Sequence, residues 1–215
     1  MKGGAIFDMD GTLLDTESVY RQGWIEIADN FGVERKPKLA TAISGSNFAD
    51  MPAIVHRFHP SIDEHEYIKQ VITFAKCKFD KNIALMPGVV EILKYFESQE
   101  MKIAIASSTE TSIIKRNIKR TNIEKYFSVI VGGDQIIHGK PAPDIFLKAA
   151  EEIHLDPKDC YVFEDSMNGI RAAAAANCIP IMVIDQVEPT DEVRALCAGV
   201  YNSLTEVLVE MKKIV

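Results

Sequence analysis

The sequence has little cysteine and no long apolar run. Its four cysteines, Cys77, Cys160, Cys178 and Cys197, are scattered and form neither a CxxC pair nor a dense framework. This spacing gives no support to a disulfide scaffold or a structural zinc site. No apolar run approaches the roughly eighteen residues that a membrane-spanning helix needs. The sequence also lacks internal repeats and low-complexity tracts.

Positive charge is not in excess either. Lys and Arg number 24 against 31 Asp and Glu, so the formal charge is −7, which disfavours a general nucleic-acid binder but permits a local pocket for an anion. The chain passes from Lys2 straight into a predicted strand, which leaves no room for a signal peptide. We therefore expect a cytoplasmic protein that binds neither nucleic acid nor membranes. The sequence does not fix its oligomeric state.

The chain is organised around one stretch near its N-terminus, AIFDMDGTLLD at residues 5–15. The apolar residues 5–7 predict a short buried strand, which would deliver Asp8 to the carboxyl edge of a parallel sheet. Asp10 follows two residues later, and Gly11 lets the backbone turn sharply and approach a ligand closely. An exposed strand end with acidic turn residues is the ordinary alternative.

A calcium-binding loop is a second alternative, because alternate aspartates followed by glycine are typical of one. The glycine comes too early for such a loop, however, and Val19 occupies the position that needs a bidentate acid. The spacing therefore disfavours calcium.

A helical segment interrupts the chain after this first strand. Apolar residues recur at three- and four-residue steps and predict helices at about 16–31, 48–58 and 64–79. Asp15 or Thr16 would cap the first of them, and Gly32 would end it. We therefore predict a helical cap domain at residues 16–83, inserted into a core domain made of residues 1–15 and 84–215.

Strands and helices alternate after Pro87-Gly88. The patterns predict strands at residues 102–106, 128–131, 160–163 and 179–184, and helices at 89–96, 111–120, 143–153, 167–177 and 204–214. Such alternation predicts an α/β fold, in which a Rossmann-like parallel sheet is covered by helices on both faces.

Polar residues follow three further predicted strands. Ser107 and Ser108 could hold an anion, although a lone serine there is usually a helix cap. Lys140 lies between Gly139 and Pro141, which would hold it in place, although most lysines are solvated surface charges. Glu164 and Asp165 end a buried strand, where adjacent acids repel each other unless a cation lies among them; a solvated turn is the alternative.

Taken together, these motifs resemble those of the haloacid dehalogenase-like superfamily, in the branch with a helical cap between the first two motifs. They occur in order as DMDGTLLDTE, IASST, GKPAPD and FEDSMNGI, and the resemblance covers essentially the whole chain. Their joint occurrence at these intervals is far more specific than any single motif.

The resemblance implies a role for each motif residue. Asp8 would be the nucleophile that forms an aspartyl-phosphate, and Asp10 the general acid and base. Asp8, the carbonyl of Asp10 and Asp165 would bind Mg²⁺, with Glu164 assisting directly or through water. The groups implied to hold the phosphate or substrate are Gly11, Thr12, Ser107, Ser108, Lys140 and, in the cap, Asn47.

The resemblance also limits the activity. The aspartate at position 10 favours phosphoryl transfer over dehalogenation or phosphonate cleavage, and the first hypothesis is a phosphatase of a small phosphorylated metabolite, such as a sugar phosphate. A β-phosphoglucomutase-type phosphomutase is the alternative, and a non-catalytic binding protein on the same fold is the third hypothesis. The cap would choose the substrate, through residues near Tyr20, Trp24, the turn at 44–47, and Lys76 or Lys78, each of which could instead be a core or surface residue.

Overall fold

The computed structural model describes residues 3–43 and 50–213. The chain divides into two compact units, one formed by Met1–Leu14 with Ala84–Val215 and the other by Asp15–Ile83. We call them the core unit and the helical unit. The strands of the core unit are β1 Gly4–Phe7, β2 Lys102–Ser107, β3 Val129–Gly132, β4 Cys160–Glu164, β5 Ile179–Val183 and β6 Gly199–Tyr201. The helices of the helical unit are α1 Glu17–Glu26, α2 Pro37–Ile43, α3 Met51–Phe58 and α4 Glu64–Phe79; those of the core unit are α5 Val89–Ser98, α6 Thr111–Arg120, α7 Asp144–Glu152, α8 Met167–Ala175, α9 Asp191–Leu196 and α10 Leu204–Met211.

The core unit contains one parallel sheet with the strand order β3-β2-β1-β4-β5-β6. β1 lies in its centre, where Ile6 is opposite Ala104 of β2 and Val162 of β4. The chain runs outward from β1 in two directions, first through β2 and β3 and then through β4 to β6. At the switch point between these halves, α/β sheets leave a crevice at the carboxyl ends of their strands.

The sheet is buried on both faces, and successive residues of β1 point to opposite faces. Ile6 packs into a cluster with residues of α7 and α8, among them Phe146 and Ala173. Phe7, on the other face, stacks on Phe163 with ring centroids 4.6 Å apart and also contacts Phe96 of α5. The predicted α/β fold with a Rossmann-like parallel sheet is confirmed.

The helical unit has its own hydrophobic core. Tyr67 of α4 is fully buried in it, stacks on Trp24 of α1 and donates its hydroxyl to the Trp24 carbonyl at 2.7 Å. Asp63 caps α4 by accepting from the backbone N–H groups of His65 and Glu66. Trp24 is therefore a core residue of this unit. The sequence allowed this position as an alternative to a contact with the substrate.

The two segments of the core unit meet where the helical unit departs from it. Leu14 and Leu85 form an antiparallel bridge, and the Met86 N–H donates to the Leu13 carbonyl at 3.0 Å. The helical unit is thus a single insertion between two points that are held side by side.

Several predicted elements differ from the observed ones. The first helix ends at Glu26, and a 3-10 helix, Ile27–Phe31, completes it before Gly32, which has a φ of 64°. Thr16 occupies the N-cap position, but its side chain makes no capping hydrogen bond. The Asp15 carboxylate instead accepts from the Ser18 N–H at 3.4 Å. The helix predicted from residue 48 begins at Met51, and residues 48–49 lie outside the described part.

The short elements α2, α9 and β6 were not predicted, and neither were the 3-10 helices Glu124–Tyr126, Gly133–Gln135 and Pro157–Asp159. The last helix ends at Met211, and residue 214 lies outside the described part. Within residues 3–43 and 50–213, no helix is both long enough and apolar enough to cross a membrane.

Candidate active site

The first aspartate stands at the end of the central strand. The Asp8 N–H donates to the Phe163 carbonyl at 2.9 Å, so β1 stays paired with β4 up to this residue. The Asp8 side chain is almost fully buried. This position follows from an apolar strand that ends in a carboxylate at the carboxyl edge of the sheet.

The loop after Asp8 is closed by its own backbone. The Gly11 N–H donates to the Leu14 carbonyl at 2.9 Å, and Gly11 has a φ of 77°, which favours glycine. A Cβ at Gly11 would also overlap the Asp165 carboxylate. Gly11 therefore allows the first and fourth motifs to lie close together. Its N–H group already donates to the Leu14 carbonyl, which argues against the phosphate-binding role predicted for it.

Lys140 joins two of the predicted acids. Its Nζ lies 2.5 Å from Asp8 Oδ1 and 2.6 Å from Glu164 Oε1, and it also donates to the Ala106 carbonyl at 3.4 Å. The side chains of Lys140, Asp8 and Glu164 are 7%, 8% and 1% exposed, respectively. The Lys140–Pro141 peptide bond is cis. Lys140 is thus a buried ion-pair partner of Asp8 rather than a solvated surface charge.

Glu164 is held on both carboxylate oxygens. Oε1 accepts from Lys140, and Oε2 accepts from the Ser166 N–H at 2.7 Å. The Ser166 hydroxyl in turn accepts from the Gly169 N–H at 3.0 Å and caps α8. A Cβ on Gly169 would overlap the Glu164 carboxylate, so this helix can approach the acid only with glycine there.

Asp10 is contacted by two hydroxyl groups, one from the last residue of β2 and one from the loop after it. Thr109 Oγ1 donates to Asp10 Oδ2 at 2.7 Å, and Ser107 Oγ lies 3.5 Å from the same oxygen. The distance from Thr109 is that of a well-formed O–H···O bond, while that from Ser107 is at the outer limit. Sequence reasoning gave no role to Thr109, although it is the third hydroxyl residue in a row at this strand end.

The remaining predicted residues are placed as follows. Ser107 is buried and accepts from the Thr109 N–H at 3.2 Å, whereas Ser108 is exposed. Thr12 is buried and donates to Asp165 Oδ1 at 3.4 Å. Asn47 lies outside the described residues. The core unit therefore brings together most of the predicted residues of the four motifs, whereas no described contact joins the Ser108 side chain to them.

The charges at this edge do not balance. Burial raises the pKa of Asp8; the attraction of Lys140 opposes this rise, and the carboxylates of Glu164 and Asp10 add to it. Burial alone would lower the pKa of Lys140, but the attraction of Asp8 and Glu164 outweighs it and raises that pKa above its ordinary value. Negative charge is thus in surplus, and a further cation would favour the ionised form of Asp8.

The residues present fit a hard divalent cation. Four carboxylates, those of Asp8, Asp10, Glu164 and Asp165, lie at this edge with the ammonium group of Lys140. Among the residues that the structure describes, no three His, Cys, Asp or Glu side chains are already grouped as metal ligands. The metal ligands predicted from the sequence are the carboxylates of Asp8 and Asp165 and the backbone carbonyl of Asp10, so they do not need three such side chains in one group. These donors are all oxygen atoms, which Mg²⁺ prefers.

Comparison with known proteins agrees with the motifs. The family model described as haloacid dehalogenase-like hydrolase matches residues 5–183. A phosphorylated carbohydrates phosphatase of Thermotoga maritima is 34% identical over 172 residues, which are 80% of this chain and 80% of that protein. A fructose-1-phosphate phosphatase of Escherichia coli is 31% identical over 174 residues, which are 80% of this chain and 92% of that protein.

A solved structure also has the same fold as this chain. The crystal structure of a putative beta-phosphoglucomutase from Thermotoga maritima aligns with a TM-score of 0.82 and 30% identity, and the alignment covers 100% of both chains. Because the family model spans most of the sequence and the four motifs meet at one sheet edge, the chain belongs to the haloacid dehalogenase-like hydrolase family.

Proposed function

We propose that this protein is a magnesium-dependent phosphatase that hydrolyses a small phosphorylated metabolite, in particular a sugar phosphate, through an aspartyl-phosphate. The observation that carries the proposal is the buried contact between Asp8 and Lys140, with the hydroxyl-bound carboxylate of Asp10 two residues further along. A buried carboxylate beside a fixed ammonium group suits attack on a phosphoryl group, because the ammonium can neutralise charge on the transferring oxygens.

The first half of the reaction uses Asp8 and Asp10 together. A carboxylate oxygen of Asp8 forms a bond to phosphorus while the bond from phosphorus to the leaving oxygen breaks. Asp10 gives its proton to that leaving oxygen, so the dephosphorylated metabolite departs as an alcohol.

The second half releases phosphate. Asp10, now a carboxylate, takes a proton from a water molecule as the water oxygen attacks phosphorus. The bond between phosphorus and the Asp8 oxygen breaks, Asp8 is restored as a carboxylate, and inorganic phosphate leaves.

Asp8, the carbonyl oxygen of Asp10 and Asp165 are the proposed holders of Mg²⁺. Bound Mg²⁺ would neutralise charge between the nucleophile and the phosphoryl oxygens. Because both oxygens of Glu164 already accept hydrogen bonds, from Lys140 and from Ser166, we assign Glu164 to holding Lys140 and to water-mediated rather than direct metal contact. Asp165→Ala should therefore abolish activity as chelation does, while Mg²⁺ restores activity to the chelated wild type and Ca²⁺ does not. Full activity in excess chelator would contradict this assignment.

The sugar-phosphate class rests on the relatives, which are named as phosphatases of phosphorylated carbohydrates and of fructose 1-phosphate. We assign substrate selection to the helical unit, as a cap. A screen of phosphorylated metabolites for magnesium-dependent phosphate release tests the class directly. Asp8→Asn should abolish release at unchanged circular dichroism, because it removes the nucleophile at almost constant volume.

A phosphomutase is the second candidate, because the chain resembles a putative beta-phosphoglucomutase over its whole length. A mutase needs a second anion site for the distal phosphate of its bisphosphate intermediate. The β-phosphoglucomutase pattern has a histidine and an arginine in the cap where this chain has Tyr20 and Phe48, the latter outside the described residues.

These features favour hydrolysis. The assay that separates the two candidates compares phosphate release with interconversion of β-glucose 1-phosphate and glucose 6-phosphate, with and without a bisphosphate activator. We expect phosphate release without an activator. Activator-dependent isomerisation with negligible phosphate release would favour the mutase instead.

A further inference from the structure

The loop after β2 contains a hydroxyl group that contacts the proposed acid of the reaction. Thr109 Oγ1 donates to Asp10 Oδ2 at 2.7 Å, although the two residues are 99 positions apart in the chain. Ser107 Oγ lies 3.5 Å from the same carboxylate oxygen, which is too long for a strong bond. Among the contacts described for Asp10, that of Thr109 is the better formed.

The backbone of Thr109 is fixed on both sides. Its N–H donates to Ser107 Oγ at 3.2 Å, and its carbonyl accepts from the Gly133 N–H at 3.0 Å. Gly133 itself has no space for a side chain, because a Cβ there would overlap the Ser108 carbonyl oxygen. The loop is thus held between the ends of β2 and β3, and the position of the Thr109 hydroxyl is set by a rigid backbone.

We infer that Thr109 is a positioning residue that orients the Asp10 carboxyl group for proton transfer. The inference rests on the proposed function. A hydroxyl that donates to Oδ2 fixes the rotation of the carboxyl group and hence the direction in which Asp10 presents its proton. In the first half-reaction that proton moves to the leaving oxygen as the phosphorus–oxygen bond breaks. Without the hydroxyl, the carboxyl group loses this constraint on its rotation, and protonation of the leaving oxygen becomes slower.

The dependence on the leaving group separates positioning from a purely structural role. Nitrophenolate leaves readily without a proton, whereas phenolate, whose acid has a pKa of about 10 like that of tyrosine, depends more on protonation. The experiment therefore measures kcat/KM for p-nitrophenyl phosphate and phenyl phosphate in wild type, Thr109→Val and Thr109→Ser. Thr121→Val is the matched control, because it removes a hydroxyl that donates to the backbone carbonyl of Asn117 in α6, away from Asp10.

We expect Thr109→Val to lower kcat/KM about tenfold or more for phenyl phosphate and less than about threefold for p-nitrophenyl phosphate. Thr109→Ser and Thr121→Val should keep the wild-type ratio of the two substrates. Equal losses for both substrates, no loss at all, or a serine variant that behaves like valine would overturn the inference. If Thr109→Val does not fold, Thr109→Ala gives the same comparison. A wild-type protein without activity on either ester would contradict the proposed function itself, which keeps the two failures distinct.

Discussion

The ammonium group of Lys140 lies 2.5 Å from Oδ1 of Asp8, although 132 residues separate them. The same ammonium lies 2.6 Å from Glu164 Oε1, and all three side chains are buried. Lys140 therefore has two physical effects. It stabilises a fold that buries two acids, and it places a positive charge beside the proposed nucleophile.

Lys140→Met should therefore lose both stability and activity. The change leaves Asp8 and Glu164 buried without their cation, and we expect a loss of about 3 kcal/mol in the free energy of unfolding. Adding Glu164→Gln removes one of the unpaired charges, so the double variant should regain part of the stability without regaining activity. Denaturant unfolding and phosphate release measure the two effects. A double variant no more stable than Lys140→Met would contradict the electrostatic explanation.

Two glycines test the packing around this ion pair. Gly169→Ala would force the start of α8 away from Glu164, since a Cβ there overlaps the carboxylate, and should cost about 1–3 kcal/mol together with much of the activity. Gly139 is the matched control, because nothing lies within 4 Å of its Cβ position although it precedes Lys140 in the chain. Gly139→Ala should behave like wild type in both thermal unfolding and turnover. Equal effects of the two substitutions would show that packing against Glu164 is not the cause.

The sequence predicts the elements whose residues follow a regular apolar pattern. Strand β1 and helix α4 are found where expected, because one is a continuous apolar run and the other repeats apolar residues on one face. The missed strand β6 has only three residues, all half-buried, so it carries no alternation to detect. The missed helix α9 has six residues with a single buried one, Val193, which is too short for a helical period.

The candidate site likewise has features that could be predicted from the sequence and features that could not. Asp8, Ser107 and Glu164 could be predicted because each ends a buried strand, and parallel strands bring their carboxyl ends to one edge. The contacts among side chains could not be predicted from spacing. The Thr109 hydroxyl reaches Asp10 only because the loop after β2 is tied to Gly133, a relation that depends on the folded arrangement of β2 and β3.

His59 should make the stability of the protein depend on pH. The residue is 3% exposed, its Nε2 has no hydrogen-bond partner among the described residues, and its ring contacts Tyr67. Burial lowers the pKa of His59, and Lys36 lowers it further, against a smaller opposing effect of Glu34. The folded state therefore binds the proton more weakly than the unfolded state, whose pKa is about 6.5.

The sign of the effect follows from this difference. Above pH 6.5, roughly the unfolded pKa, His59 is neutral in both states and full stability is present; as the pH falls below it, the unfolded chain takes up the proton and stability is lost. His59→Phe should flatten the curve of unfolding free energy between about pH 7 and pH 5. An unchanged slope in His59→Phe would exclude this histidine as its source.

The last prediction concerns the helical unit as a separable cap. Because Leu14 and Leu85 form a bridge and Met86 bonds to Leu13, a short glycine–serine linker can replace residues 15–83 without stretching the chain. The core unit has its own sheet and hydrophobic clusters, so the truncated protein should fold and should still hydrolyse p-nitrophenyl phosphate. It should discriminate poorly among sugar phosphates, since we assign selection to the deleted unit. Circular dichroism and a comparison of kcat/KM across a panel of sugar phosphates measure both properties. A truncated core that does not fold would contradict the independence of the units, and an unchanged substrate profile would refute the role in selection.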